Sequence, residues 1–516
     1  MNILVDDVFE ITNEKTLRFG SNLCSIFSNY ASDSVIDLPF LRPHQHAPWH
    51  SFMVQLAAIA LQRGGCSGIP DEADAWRELL RGLTRKWPDD EPWRLVVSDV
   101  TKPAFMQPPV PGASADPHKT PIDTADDLDV LVTAKNHGVK QGLVAEATPA
   151  AWAAALVMLQ TTGGFLGAGN YGIARMNGGF ATRPFVGLVP DGGIGAHWRR
   201  DVEVMLGHRS WFFERIEEFA EEGGAALLWC LPWDGERSLE FRELAPWFIE
   251  VCRRVRLYAD NAGRITAKSI GSKAARVAAK GTLGNVGDPW IPINLEKTSA
   301  AYNSTPTYRV MSDVLFAREK WLRPLLLEWH DGIDRLPSWA RFDVTVRGQG
   351  TTEGHHLREV AIESQKRRGF LFDDRERDKM AERAAQLVAD AGTLQNRVLK
   401  VPLLTLIQAG DAEVDFGDRT AGRWAQQWLK MADQRIDEAF FDQLFHLAET
   451  GDETTWGRFL RATADAVFVA ALHSLPTAGV RRLKAQAVAE ERLEALFWKS
   501  FKDYMPEREK EAADVE

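Results

Sequence analysis

From residue 373 onward the texture of the chain changes to four stretches of helical periodicity. DRERDKMAERAAQLVADAGTLQNRVLKVPLL, RTAGRWAQQWLKMADQRIDEAFFDQLFHLAET, TTWGRFLRATADAVFVAALHSL and TAGVRRLKAQAVAEERLEALFWKSF carry apolar residues at three- and four-residue spacing, which places them on one face of a helix. Short breaks containing Gly, Asp or Pro separate the four, as between antiparallel neighbours. Such stripes are buried most simply against one another, so residues 372–506 are expected to form a C-terminal four-helix bundle, followed by a frayed charged tail at 507–516. Residues 1–365 read differently. Short β-segments such as WRLVV (93–97) and FDVTV (342–346) alternate with helices and Gly or Pro turns, the texture of a large, irregular mixed domain. The expected fold class is therefore α+β, and 516 residues exceed what one ordinary core holds. No internal repeat is visible.

Composition narrows the function. The four cysteines, Cys24, Cys66, Cys230 and Cys252, are scattered without a C-x-x-C pair, so neither a disulfide framework nor a zinc ribbon is indicated. MNILVDDVFEI carries acids where a signal peptide carries bases, and no apolar run approaches the roughly 20 residues of a membrane span. A cytoplasmic protein without a membrane partner is expected. The net charge of −11 argues against a general polyanion binder. Yet residues 253–280 hold Arg253, Arg254, Arg256, Arg264, Lys268, Lys273, Arg276 and Lys280 against one acid, Asp260. That block is either a phosphate track or a solvated face paired with acidic neighbours.

GAGNYG, residues 167–172, matches the G-x-G-x-x-G fingerprint of dinucleotide-binding folds. The fingerprint works only when a strand enters and a helix leaves, so that pyrophosphate rests on the helix N-terminus. Here TPAAWAAALVMLQTT enters, with Thr148 as N-cap and Pro149 as first helical residue. Gly178 and Gly179 interrupt any following helix, and TRPFVGLV reads as a strand. The order is reversed, and Asp191 lies in a turn. A dinucleotide-binding oxidoreductase is a poor reading and no cofactor is expected; close backbone approach to another chain or ligand explains the glycines better.

Other chemistry is sparse. In HQHAPWH, His46 and His50 are one helical turn apart, but no neighbouring acid completes a metal or base set, so structural histidines are expected and no metal site. His355 and His356 are adjacent and would diverge on a helix. No G-x-S-x-G, Walker loop or persuasive carboxylate pair appears, so these residues give an enzyme no support. Three loops instead share groups that bond phosphate, sugar and base edges. TAKNHGVKQG offers Lys135, Asn136, His137 and Lys140; the glycine loop offers Asn170, Tyr171, Arg175 and Asn177; VRGQGTTEGHH follows a β-segment and reads as ending at a helix start. Small residues in such loops suit the narrow minor groove.

DLPFLRPHQHAPWHSFMVQLAAIAL (37–61), PAFMQPPVP (103–111), LVTAKNHGVK, the glycine loop, KGTLGNVGDPWIPI (280–293) and GQGTTEGHH occur in that order ahead of the helical stretches. In this the chain resembles the CasA family, the large subunit of the type I-E CRISPR surveillance complex Cascade, over essentially its whole length. The resemblance implies a non-enzymatic subunit that reads the protospacer-adjacent motif of target double-stranded DNA. It also implies strand separation to seed the R-loop and help in recruiting the helicase-nuclease, while base pairing with the guide CRISPR RNA reads the sequence. Its other partners would be the backbone, small and guide-end-capping subunits; the alternative within the same assembly is a scaffold that never touches DNA. By position, Gly164, Gly167, Ala168, Gly169, Asn170, Lys280, Thr352 and Gly354 would meet the motif. Lys135, Asn136, His137 and Lys140 would meet the guide RNA end or neighbouring subunits, and Arg481, Arg482 and Lys484 the displaced strand. The strand-separating wedge, a glutamine in the family, aligns with Glu353; a carboxylate driven toward phosphates is repelled, so either Gln349 wedges or the register is shifted.

Overall fold

The computed structural model describes residues 1–13, 15, 17–129, 147–163, 168–176, 182–296, 300–302, 304–346, 354–410, 413–474 and 480–506. The chain divides into two compact units, 1–306 with 319–364 and 307–318 with 365–516.

In the first unit two helices are apolar on all sides. His46–Gly64 buries Trp49, Phe52, Met53, Leu56 and Ile59, and Pro149–Thr162 buries Trp152, Leu156, Met158 and Leu159. A helix of this kind must lie inside a core rather than on its surface. Small sheets surround them. Ser338–Val346 is the middle strand of one, antiparallel to both Gly354–Ile362 and Phe185–Pro190. In another, Ile265–Ile270 lies between Thr120–Ile122 and Arg254–Ala259. The mixed α+β class is observed, but WRLVV at 93–97 is not a strand. It forms one isolated antiparallel bridge, between Arg94 and Asn2, in which Leu95 donates to the Met1 carbonyl. Beyond it the Gln107 amide donates to the Leu95 carbonyl and Arg256 to that of Val97, so the bridge is not extended into a ladder.

The second unit is helical. Asp374–Thr393, a π-helical turn at Leu394–Leu399 and Lys400–Ile407 run on as one rod. Pro402 lacks the N–H that the Val398 carbonyl would accept, and widening the preceding turn accommodates its ring. Arg419–Thr450, Glu453–Ser474 and Val480–Phe501 follow. Asp373 and Asp418 cap two N-termini by accepting from backbone amides, and Gly451, at φ +73°, closes a C-terminus. Leu394, Val398, Ile436, Phe440, Leu460, Val467 and Phe497 are buried within the unit. Tyr308–Phe316 adds a further helix: its Tyr308 ring lies 4.7 Å from Phe440, its Tyr308 amide donates to Asp437 and its Arg309 pairs with Asp433.

Candidate nucleic-acid interface

Helix Pro149–Thr162 opens as its sequence predicts, with Thr148 Oγ1 accepting from the Ala151 amide and Pro149 in the first turn. It leads into the glycine segment, and the strand Phe185–Pro190 leaves it. That order is opposite to a dinucleotide crossover. Gly164 and Gly167 lie outside the described residues. Ala168 is exposed and Gly169 and Asn170 are half-buried. Gly169 has φ +76°, and a side-chain carbon there would sit 3.5 Å from the Gly271 Cα. Its carbonyl accepts from the Ser272 amide at 2.8 Å, and the Tyr171 hydroxyl donates to the Lys273 carbonyl at 2.8 Å. The close backbone approach that this glycine permits is therefore to the turn that follows strand Ile265–Ile270, inside the basic block.

The block itself splits in two. Arg253, Arg254, Arg256 and Arg276 are buried and are not a phosphate track. Arg256 donates to the carbonyls of Val97, Asp99 and Lys102, and Arg276 to those of Leu228, Leu231 and Pro232. Burial lowers both guanidinium pKa values to about 10. Each ties a loop whose carbonyls have no ladder partner, a use that the five donors of arginine suit. Arg264, Lys268, Lys273 and Lys280 are exposed. Lys273 pairs with Glu236 at 2.7 Å, and the Lys268 ammonium lies 5.2 Å from the centre of the Tyr258 ring.

Arg175, read from the sequence as a DNA-facing group of the loop, is buried. It bonds Glu250 at 3.1 Å and Asp288 at 2.8 Å, while Arg183 bonds the same Asp288 at 2.7 Å. The cluster pins the chain on both sides of residues 177–181 to the segment that begins at Lys280. Burial pushes the Glu250 carboxyl up to about 7, against the pull of Arg175 and Arg183. Just beyond, the Thr182 hydroxyl bonds the carbonyl of Thr345, which pairs with His355 at the loop end of a hairpin.

That hairpin corrects a second reading. GQGTTEGHH does not end at a helix start: Gly354 pairs with Val346 and opens a strand running to Ile362. His355 and His356 therefore point to opposite sheet faces, and His355 bonds Asp343 at 2.9 Å. Gln349, Thr352 and Glu353 lie outside the described residues, as do Lys135, Asn136, His137 and Lys140. In the second unit Arg481 and Lys484 are exposed, while Arg482 is half-buried and donates to the Leu472 carbonyl.

Two features had no sequence signal. Gln160 is wholly buried in the helix before the glycine segment. Its amide donates to the carbonyls of Met106 and Arg253 and its oxygen accepts from the amides of Cys252 and Arg253, all at 2.8 or 2.9 Å. It seats the start of the basic block against the helix. The acids missing beside HQHAPWH arrive from far along the chain: Asp129 bonds His44 and Asp201 bonds His50. A long-range pair of this kind leaves no spacing to read.

No protein-family model and no curated protein matches the chain. Solved structures do. The chain is similar to CasA of Thermus thermophilus, with a TM-score of 0.65 and 16% identity, covering 97% of this chain and 99% of that one. It is similar to the CRISPR-associated protein Cse1 of Acidimicrobium ferrooxidans, at 0.63 and 14%, over 98% and 99%. It is similar also to Cse1 of Thermobifida fusca, at 0.61 and 14%, over 98% and 99%. Across nearly its full length, then, the chain has the fold of the CRISPR-associated Cse1 (CasA) proteins.

Proposed function

We propose that the chain is the DNA-reading large subunit of a type I-E RNA-guided surveillance complex and not an enzyme. It recognises the protospacer-adjacent motif in duplex DNA, promotes strand separation for R-loop formation and helps recruit the helicase-nuclease. The observation that carries this reading is the convergence, on a Cse1 fold, of three features far apart in sequence. The glycine loop bonds the turn at 271–273 through Gly169 and Tyr171, and its exit bonds the loop end of the 338–362 hairpin, at Thr345, through Thr182.

In this reading Lys268, Lys273 and Lys280 supply salt-sensitive attraction, each phosphate contact steepening the slope of log affinity against log salt by about 0.9. Gly164, Gly167, Ala168, Gly169, Asn170 and Lys280 face the motif from the minor groove, joined by Thr352 and Gly354 of the hairpin. A wrong base pair costs about 1–3 kcal/mol. The hairpin tip, through Gln349 or Glu353, wedges the strands at a cost of a few kcal/mol, offset by RNA–DNA pairing. Lys135, Asn136, His137 and Lys140 meet the guide RNA end or adjacent subunits; Arg481, Arg482 and Lys484 meet the displaced strand.

The test is a gel-shift titration of the reconstituted complex, with and without this chain, on duplexes that differ only in the adjacent motif. Motif-dependent binding is expected only with the chain present, and Lys280→Ala combined with Gly169→Val should weaken it at least tenfold. An intact complex that binds both duplexes alike would leave the chain a scaffold. Unchanged affinity in the double variant would sink the site assignment.

A further inference from the structure

The first unit contains a cavity of about 300 Å³, lined among others by Tyr30, His46, Trp49, His50, His197 and Trp290. At its wall the Nε2 atoms of His50 and His197 converge on one carboxylate oxygen, Asp201 Oδ2, at 2.9 Å and 3.4 Å. His197 and Asp201 are one turn apart on helix Ile194–Gly207, and His50 comes from helix His46–Gly64. The two imidazoles stack with centroids 4.0 Å apart. We propose that His50, His197 and Asp201 form a binding site for a divalent first-row transition cation, zinc or iron(II), that cross-links the two helices and keeps an open coordination position toward the cavity.

Three arguments support this. Two histidines and one carboxylate are a ligand set that zinc and non-haem iron(II) both use with positions left open. Metal–ligand bonds of 2.0–2.2 Å in a tetrahedron put the ligand atoms about 3.3 Å apart; the two histidine–carboxylate separations of 2.9 and 3.4 Å bracket that edge, all three ligand atoms lie within 4.8 Å of one another, and closure around an ion requires the stacked rings to rotate so that both lone pairs meet it. The second oxygen of Asp201 is already occupied: Arg200 bonds Oδ1 at 3.0 Å and is itself held by Asp334 at 2.8 Å. That arrangement orients Oδ2 as a single ligand atom, the outer-shell support that metal carboxylates require.

The charges facing the site do not oppose a cation strongly. The Arg200 charge is matched by Asp201 and Asp334. Arg341, on the cavity wall, pairs with Glu359 at 2.6 Å, and Asp343 lines the same wall beside His46.

The untagged full chain, stripped with chelator, is dialysed against Zn²⁺ or, anaerobically, Fe²⁺, and its metal content is measured by mass spectrometry. One equivalent of one of the two ions per chain is expected, and which ion is retained by the protein as purified distinguishes them. His50→Ala and His197→Ala should each weaken binding at least tenfold, while His473→Ala, on the surface of the other unit, should not. The idea fails if the wild type retains neither ion, or if both histidine variants bind as it does. Should either variant not fold, Co²⁺ bound to the wild type decides: intense visible bands of a low-coordinate nitrogen and oxygen site support the assignment, and the weak spectrum of the hexaaquo ion overturns it.

Discussion

Asp288 bonds both Arg175 and Arg183 and so clamps the glycine segment at two points. Removing one member of a buried ionic cluster leaves the others uncompensated, at about 3–5 kcal/mol. Asp288→Ala should therefore lower stability by about that amount in a urea titration and, on the proposed function, weaken motif binding without touching DNA. His330 tests the electrostatics of burial. Burial holds its imidazole below the ordinary value, against the bond to the Leu325 carbonyl, with Arg200 and His208 adding to the lowering. Below about pH 6.5 the unfolded chain takes a proton that the folded one refuses, so stability falls as pH drops from 7 toward 5. The limiting slope is about 1.4 kcal/mol per pH unit. Glu250 runs the other way: its raised carboxyl, at about 7, favours the folded state at low pH, and that contribution is lost as pH rises toward 7. The measurement is accordingly the difference between wild type and His330→Gln, whose melting temperature should decline less on acidification.

At the scale of elements, what positions the interface is mostly not in the interface. Helix Pro149–Thr162 meets the basic block through one side chain, Gln160, which satisfies two carbonyls and two amides. Gln160→Leu keeps the volume and strands all four, each worth about 1–3 kcal/mol when buried without a partner. Loss of several kcal/mol is expected, read as a lowered unfolding midpoint. Weakened protection from hydrogen exchange should centre on Cys252 and Arg253, because their amides lose their acceptor. Gln160→Glu supplies the acceptor but not the donor, and should restore only part of the loss. The long helices and residues 342–346 of the strand Ser338–Val346 were legible in local patterns, since caps, period and β-branched runs act between near neighbours. The failure at 93–97 and the strand at 354–362 were not. Whether a short apolar run pairs depends on which distant donors reach its carbonyls, and Arg256 lies far along the chain from Val97.

For the whole molecule, residues 307–318 belong to the helical unit although they precede the last strands of the mixed one. Periodicity located the four long helices but assigns no partner to a nine-residue helix such as Tyr308–Phe316. A fragment of residues 365–506 would expose the face of Phe440 that Tyr308 covers and leave Asp433 and Asp437 without Arg309 and the Tyr308 amide. It should melt at a lower temperature than the same fragment with 307–318 fused to it, by thermal unfolding followed by circular dichroism. Equal melting temperatures would show that this helix contributes nothing to the unit.

The sequence by itself determined the α+β class, the run of C-terminal helices, the reversed order around GAGNYG and the order of motifs that marks the resemblance to CasA. These depend on near-neighbour spacing or on linear order, which a sequence carries directly. Only the tertiary structure decided that four arginines of the basic block hold loops while Arg264, Lys268, Lys273 and Lys280 face solvent. It also decided that Gly169 serves a contact with Ser272, and that His50 finds its acid in Asp201. Those outcomes depend on burial and on pairs far apart along the chain, and the same residue type serves either role until its surroundings set the cost of leaving water.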